Sequence, residues 1–216
     1  MANDDQANAR GGLRPSNQPF GTVKRSYYRL ATGSANQDLF IGQPMDLDTN
    51  GEAVVATHGT AGSSVVVGPI IGFSRDSRGQ MGLPDKMSLI TQGAYLPSLT
   101  NAYVCIADDP NQEFIIQEAS TGTQLTTANI GNNGGWFYIG TRDGTASNSG
   151  STITGSSYAE LYPPFAAVGT YGALRIVGLA DNMNSDGSYN DVGAYAKWRV
   201  RIVNHRLGGL TGVNAV

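Results

Sequence analysis

The chain has 216 residues, including 29 glycines and 9 prolines, and 14% of its residues are charged, well below the roughly one quarter usual for soluble globular domains. Fourteen Lys and Arg against 17 Asp and Glu leave a formal charge of -3, which offers no basic excess to neutralise phosphates and argues against nucleic acid as a partner. A hydrophobic fraction of 40% is enough for a core, and the longest apolar stretch, Val65 to Phe73, is interrupted by Gly68, Pro69 and Gly72. Wholesale disorder and a membrane span are therefore both excluded as expectations.

Residues Met1 to Gln18 contain one large apolar side chain after Met1, Leu13, among Asn, Asp, Gln, Gly and Pro. The first six are polar and acidic, the reverse of a secretory signal. Such a segment cannot offset its own ordering entropy and orders only when tied down, either by another chain or by its own domain. The expected organisation is an extended arm over 1–20, a β-rich domain over 21–207, single or in two subdomains, and a tail over 208–216.

From Phe20 the texture changes to short β-type runs between turn clusters. Val23 to Leu30 is rich in Tyr and Arg. Gln43 to Leu47 and Glu52 to Thr57 flank Asp48-Thr49-Asn50-Gly51, and Asn-Gly between apolar runs is a hairpin signal. Val65 to Val67 and Ile70-Ile71 read as buried strand, with Gly68-Pro69 marking a bulge or an edge. Ala102 to Ala107 and Glu113 to Glu118 flank the turn Asp108-Asp109-Pro110-Asn111. Trp136 to Ile139 and Leu174 to Leu179 are further strands. The clearest period-two run lies near the end, where Ala194, Ala196, Trp198, Val200 and Ile202 alternate with Tyr195, Lys197, Arg199, Arg201 and Val203. That pattern predicts a strand with one apolar and one cationic face. Helical character is expected for no more than a turn or two, at Thr126 to Ile130 or Tyr158 to Leu161. Segments Gly140 to Ser157 and Asp181 to Asp191 are Gly/Ser/Thr/Asn-rich loops. The fold class predicted is all-β, a small β-barrel or β-sandwich with long loops and an extended N-terminal arm.

No catalytic constellation stands out. Asp46-Leu47-Asp48-Thr49-Asn50-Gly51 fits the first half of a calcium loop, but Thr57 occupies the closing position and the flanks read as strands, so a hairpin turn is the better reading. His58 and His205 have no nearby cysteine or paired carboxylates at metal-binding spacing. No Gly-x-Ser-x-Gly elbow marks a nucleophile, and the single cysteine, Cys105, sits inside an apolar run as a small hydrophobe. No metal, cofactor or enzymatic activity is therefore expected. Two basic clusters remain, Lys24, Arg25 and Arg29 beside Tyr27 and Tyr28, and Lys197, Arg199 and Arg201 on one strand face. Each reads either as a solvated sheet face or as a contact with an acidic partner. With Arg10, Leu13, Arg14 and Phe20 of the arm, these are the candidate partner contacts.

Several motifs carry a resemblance. In order they are Tyr28-Arg29-Leu30-Ala31, Phe40-Ile41-Gly42-Gln43-Pro44-Met45 and Ile70-Ile71-Gly72-Phe73. Then come the run from Tyr103-Val104-Cys105-Ile106-Ala107-Asp108-Asp109-Pro110 into Phe114-Ile115-Ile116-Gln117, Leu174-Arg175-Ile176-Val177-Gly178-Leu179, and a last strand closing with Asn204-His205. Over Tyr27 to Arg206 the chain resembles the small β-rich decoration or cement proteins of tailed bacteriophage heads. The resemblance implies a virion protein, made in the host cytoplasm, that binds the exterior of the assembled head. Its implied partners are the major capsid protein and further copies of itself, as a homotrimer at threefold positions, with no catalytic residue. A cement protein stabilises the state it binds by mass action, and bridging several capsomers makes its second contact effectively intramolecular. An arm of this kind suits strand addition to a partner's sheet edge. The alternative is a carbohydrate- or receptor-binding β-domain of a phage tail or outer appendage, suggested by Trp136, Phe137 and Tyr138 beside a Gly-rich loop.

Overall fold

In the computed structural model the described residues are 11–16, 23–34, 37–56, 65–74, 95–96, 102–119, 123–138, 150–151, 155–166, 172–181 and 189–208. The protein is all-β. Its strands are β1 (Arg14–Pro15), β2 (Ser26–Arg29), β3 (Leu39–Phe40), β4 (Pro44–Leu47), β5 (Ala53–Val55), β6 (Gly68–Ser74), β7 (Tyr95–Leu96), β8 (Tyr103–Ile106), β9 (Glu113–Gln117), β10 (Asn133–Tyr138), β11 (Ala159–Ala166), β12 (Leu174–Leu179) and β13 (Lys197–Ile202). They form a six-stranded sheet in the order β1-β9-β13-β12-β10-β11, a five-stranded sheet in the order β2-β8-β6-β4-β5, and the small pair β3-β7.

Both larger sheets curl back on themselves. In the six-stranded sheet, Leu161 of β11 bridges Glu118 just beyond β9, and the Ala119 N–H donates to the Leu161 carbonyl at 2.9 Å. In the five-stranded sheet, Leu30 after β2 bridges Ala53 of β5, and the Ala31 N–H donates to the Ala53 carbonyl at 3.0 Å. Each curl contains register shifts, between Ile70 and Gly72, between Asn133 and Gly135, and between Ile176 and Gly178. Such bulges bend a strand and increase its twist, which is what a sheet needs to approach closure.

Period-two patterning places one core inside each curl. On β13, Trp198, Val200 and Ile202 are buried in strict alternation, and they join Phe114, Ile116, Leu161, Leu174, Ile176 and Trp136 in one cluster. A second cluster gathers Leu30, Leu39, Met45, Val67, Ile70, Leu96, Val104 and Ile106. The pair β3-β7 contributes to this cluster and stacks Phe40 on Tyr95 with ring centroids 5.6 Å apart. Fully burying one such side chain is worth about 1.5–3 kcal/mol, so each alternating strand commits strongly to its register.

The turn at Asp108–Asn111 carries the chain from β8 in one sheet to β9 in the other. Elsewhere the two sheets are stitched by backbone hydrogen bonds, from Val66 N–H to the Asn204 carbonyl (3.0 Å), from Arg206 N–H to the Val66 carbonyl (3.0 Å), and from Leu13 N–H to the Gly42 carbonyl (2.9 Å). The Arg206 Nε adds a bond to the Asp46 carboxylate at 2.8 Å.

One expected helical turn is absent, the other is present, and residues 11–16 take the second of the two readings given for the arm. Tyr158 to Leu161 forms no helical turn: from Ala159 onward the chain is β11, whose Leu161 lies opposite Trp136 and packs in the core. Thr126 to Ile130 contributes a single 3₁₀ turn at Thr127–Asn129, with the Asn129 side chain accepting from the Thr126 N–H at 2.9 Å. Residues 11–16 lie on their own body, with Arg14 and Pro15 paired to Ile115 and Phe114 and Leu13 fully buried. Most of the two loops at 140–157 and 181–191 lies outside the described residues. The hairpin expected around Asn50-Gly51 is present: β4 and β5 pair, Gly51 has φ of 76°, and Asp48 Oδ1 accepts from the N–H groups of Asn50 and Glu52.

Candidate functional site

Among the described residues, the cations marked by the sequence fall on two separate outer surfaces, while the Tyr28 ring packs against the second core cluster. Lys24 and Arg25 are exposed, Tyr27 and Tyr28 are half-buried and Arg29 is exposed, all at or beside β2. Three of these are matched by acids of the same body. Lys24 Nζ lies 3.9 Å from Asp109 Oδ2, Arg29 Nε lies 3.6 Å from Glu52 Oε1, and the Tyr28 hydroxyl donates to Asp108 Oδ2 at 2.8 Å. Burial, then the Asp108 carboxylate, pushes the Tyr28 phenol up to about 12. The Asp108-Asp109 turn that receives Lys24 and Tyr28 is set by Asp109 Oδ1 accepting from the Asn111 N–H. This surface is close to locally neutral.

The outer face of the six-stranded sheet is different. Lys197, Arg199 and Arg201 alternate with the buried residues of β13 and point away from the core. Directly opposed residues of an antiparallel pair share a face, so the register adds more members. Arg14 lies opposite Ile115, which lies opposite Arg199. Arg175 of β12 lies opposite Arg201, which lies opposite Glu113. Five cations therefore stand on β1, β13 and β12; β9 lies between β1 and β13 and adds Glu113, Ile115 and the buried Gln117 to the same side. Glu113 is the single outward carboxylate on these four strands. It reaches Arg201 at 3.0 Å and Arg199 at 3.8 Å. Arg14 Nη2 donates to Ser156 Oγ at 3.2 Å and Arg175 Nε donates to Asn133 Oδ1 at 3.1 Å. Arg199 lies over Gly178, where an added Cβ would come 3.2 Å from its guanidinium.

Of the remaining candidates, Arg10 and Phe20 lie outside the described residues. Leu13 is no surface contact: it is 0% exposed and sits in the core, because an isolated leucine in a polar arm gains most by filling the end of the curled sheet. Trp136 is likewise buried at 1% exposure, so it is not available to stack on a sugar ring.

Arg175 and Glu118 were not singled out from the sequence. Arg175 was readable as the outward residue of an alternating strand, but only the β12–β13 register puts it beside Arg201. Glu118 continues the inward phase of Phe114 and Ile116. Its carboxylate is fully buried, with Oε2 accepting from Trp198 Nε1 at 2.8 Å and Oε1 from the Leu125 N–H at 2.6 Å. Burial pushes its pKa up while these two donors pull it down. Both oxygens are occupied by donors of the fold, so it acts as a core bracket.

Asp46 is engaged by Arg206 and Asp48 by the hairpin backbone. Cys105 is buried, and burial raises its thiol pKa. Among the described residues, no group of three or more His, Cys, Asp or Glu could hold a metal ion, and no helix is long and apolar enough to cross a membrane. Compared with protein-family models, with curated proteins and with solved structures, the chain finds no match.

Proposed function

We propose that this chain is a non-enzymatic structural protein of the tailed-phage virion that binds the exterior of the assembled head and cements adjacent capsomers. The observation that carries the reading is that the marked cations among the described residues lie on broad outer sheet faces rather than converging on a cleft. A face presents binding chemistry, whereas catalysis needs groups converging on one reacting atom. Together with the motif resemblance, this supports the major capsid protein as the partner and a homotrimer at threefold positions as the working assembly. Binding to the assembled shell alone would add its binding free energy to shell stability.

The test is co-sedimentation of the purified full chain with mature heads of the phage that encodes it. Saturable association is expected, and heads that carry the protein should resist heating better than heads that lack it. Failure to associate with such heads overturns the reading. A variant lacking residues 1–10 tests the contribution of the arm, with weakened association expected. Truncation as far as Phe20 would be a poor test, because it also takes Leu13 out of the core.

A further inference from the structure

We propose that the outer face built by β1, β9, β13 and β12 is a docking surface for a carboxylate-rich surface of a partner protein. The first argument is charge distribution. The whole chain has a formal charge of -3, yet this face sets Arg14, Arg175, Lys197, Arg199 and Arg201 against Glu113. At ionic strengths where the Debye length is about 8–10 Å, a partner responds to the local excess and not to the distant net charge. An extended polyanion such as nucleic acid would reach beyond the face and meet the net negative remainder of the chain. A compact acidic protein patch would meet the five cations with one carboxylate, Glu113, among them.

The second argument is chemical. Four of the five cations are arginines, whose planar guanidinium groups match carboxylates two hydrogen bonds at a time. Half-buried Ile115 sits in register between Arg14 and Arg199. Apolar area interleaved with arginine is the composition of protein–protein interface cores. The β2 surface lacks this character because Lys24, Tyr28 and Arg29 already face Asp109, Asp108 and Glu52. Glu113 has a defined part in this picture. It bonds Arg201 and Arg199 in the free protein and competes with the incoming carboxylates for them.

This inference rests on the reading of the chain as a binding protein, but not on the partner being a phage capsid. The experiment uses the full chain and poly-L-glutamate as the carboxylate probe, with a DNA duplex as the competing polyanion and mature heads as a separate arm. Binding to poly-L-glutamate is expected at low salt and should weaken as salt rises. Arg175→Ala with Arg201→Ala should cost about tenfold in affinity, while Lys24→Ala with Arg29→Ala should leave it within about twofold. Glu113→Gln should tighten binding by freeing both arginines, a gain that damage to the fold would not produce. Unchanged affinity in the Arg175/Arg201 variant, or no gain from Glu113→Gln, overturns the proposal. So does tighter binding of the DNA duplex than of poly-L-glutamate. Binding to poly-L-glutamate with the expected variant pattern, but none to heads, would retain the docking face and refute the capsid reading.

Discussion

Glu118 shows how one residue can strain a core and organise it. A carboxylate with 0% exposure is costly unless its oxygens are met, and here the Trp198 indole and the Leu125 N–H meet them. Its pKa in the folded protein is raised above the ordinary 4.5, chiefly by burial. From about pH 4.5 upward the folded state therefore holds a proton that the unfolded chain has released, and this group's contribution to stability falls as pH rises through the folded pKa. In Glu118→Gln that contribution is removed, and one of the two donors faces an amide NH₂ instead of an oxygen. The variant is expected to be about 1–3 kcal/mol less stable than the parent at the acidic end, with the gap narrowing as pH rises. Urea denaturation at a series of pH values checks this, and a gap that widens with pH would contradict it.

At the scale of elements, the N-terminal strand is the least expected part of the fold and a strongly constrained one. β1 is two residues long, too short to leave a periodic signal, and it is fixed by what surrounds it. Gly12 and Gly42 both have positive φ, and a Cβ on Gly42 would lie 1.8 Å from the Gly11 carbonyl oxygen. Leu13 then enters the core one residue further on. Leu13→Ala is expected to cost about 2–5 kcal/mol, as for other buried leucines, and Gly42→Ala at least about 2 kcal/mol through strain and collision. Both are read by chemical denaturation, and a change below about 0.5 kcal/mol in either would show that the segment is not part of the folded body. The contrast with β13 explains what was legible. The alternating run from Ala194 to Val203 announces a strand and its two faces. The strand itself spans Lys197–Ile202 with Trp198, Val200 and Ile202 inside, while Ala194 and Tyr195 form a turn in which Tyr195 has φ of 62°. Tyr158 to Leu161 misleads because four residues cannot separate a helical turn from a strand, and only the pairing with β10 decides. The two-residue pair β3-β7 is likewise set by long-range contact, in this case the Phe40–Tyr95 stack.

At the scale of the molecule, the low charge content and its uneven placement belong together. The two curled sheets share a backbone-bonded seam at Leu13–Gly42 and Val66–Asn204, and each keeps its own core. The all-β class was readable from short runs between turn residues. The division into two curls was not, because closure depends on bulges and on contacts such as Glu118–Leu161 that join distant segments. The basic clusters were readable as residues, but only the register separates the locally neutral β2 surface from the outer face of the six-stranded sheet, where five cations share the one carboxylate of Glu113. On the proposed reading the β body meets other protein through that face. The measurement that tests the proposed virion role most directly is quantitative mass spectrometry of purified tailed-phage particles from the source of the chain. The account predicts the protein there in a fixed stoichiometric ratio to the major capsid protein, and its absence from intact particles would contradict it.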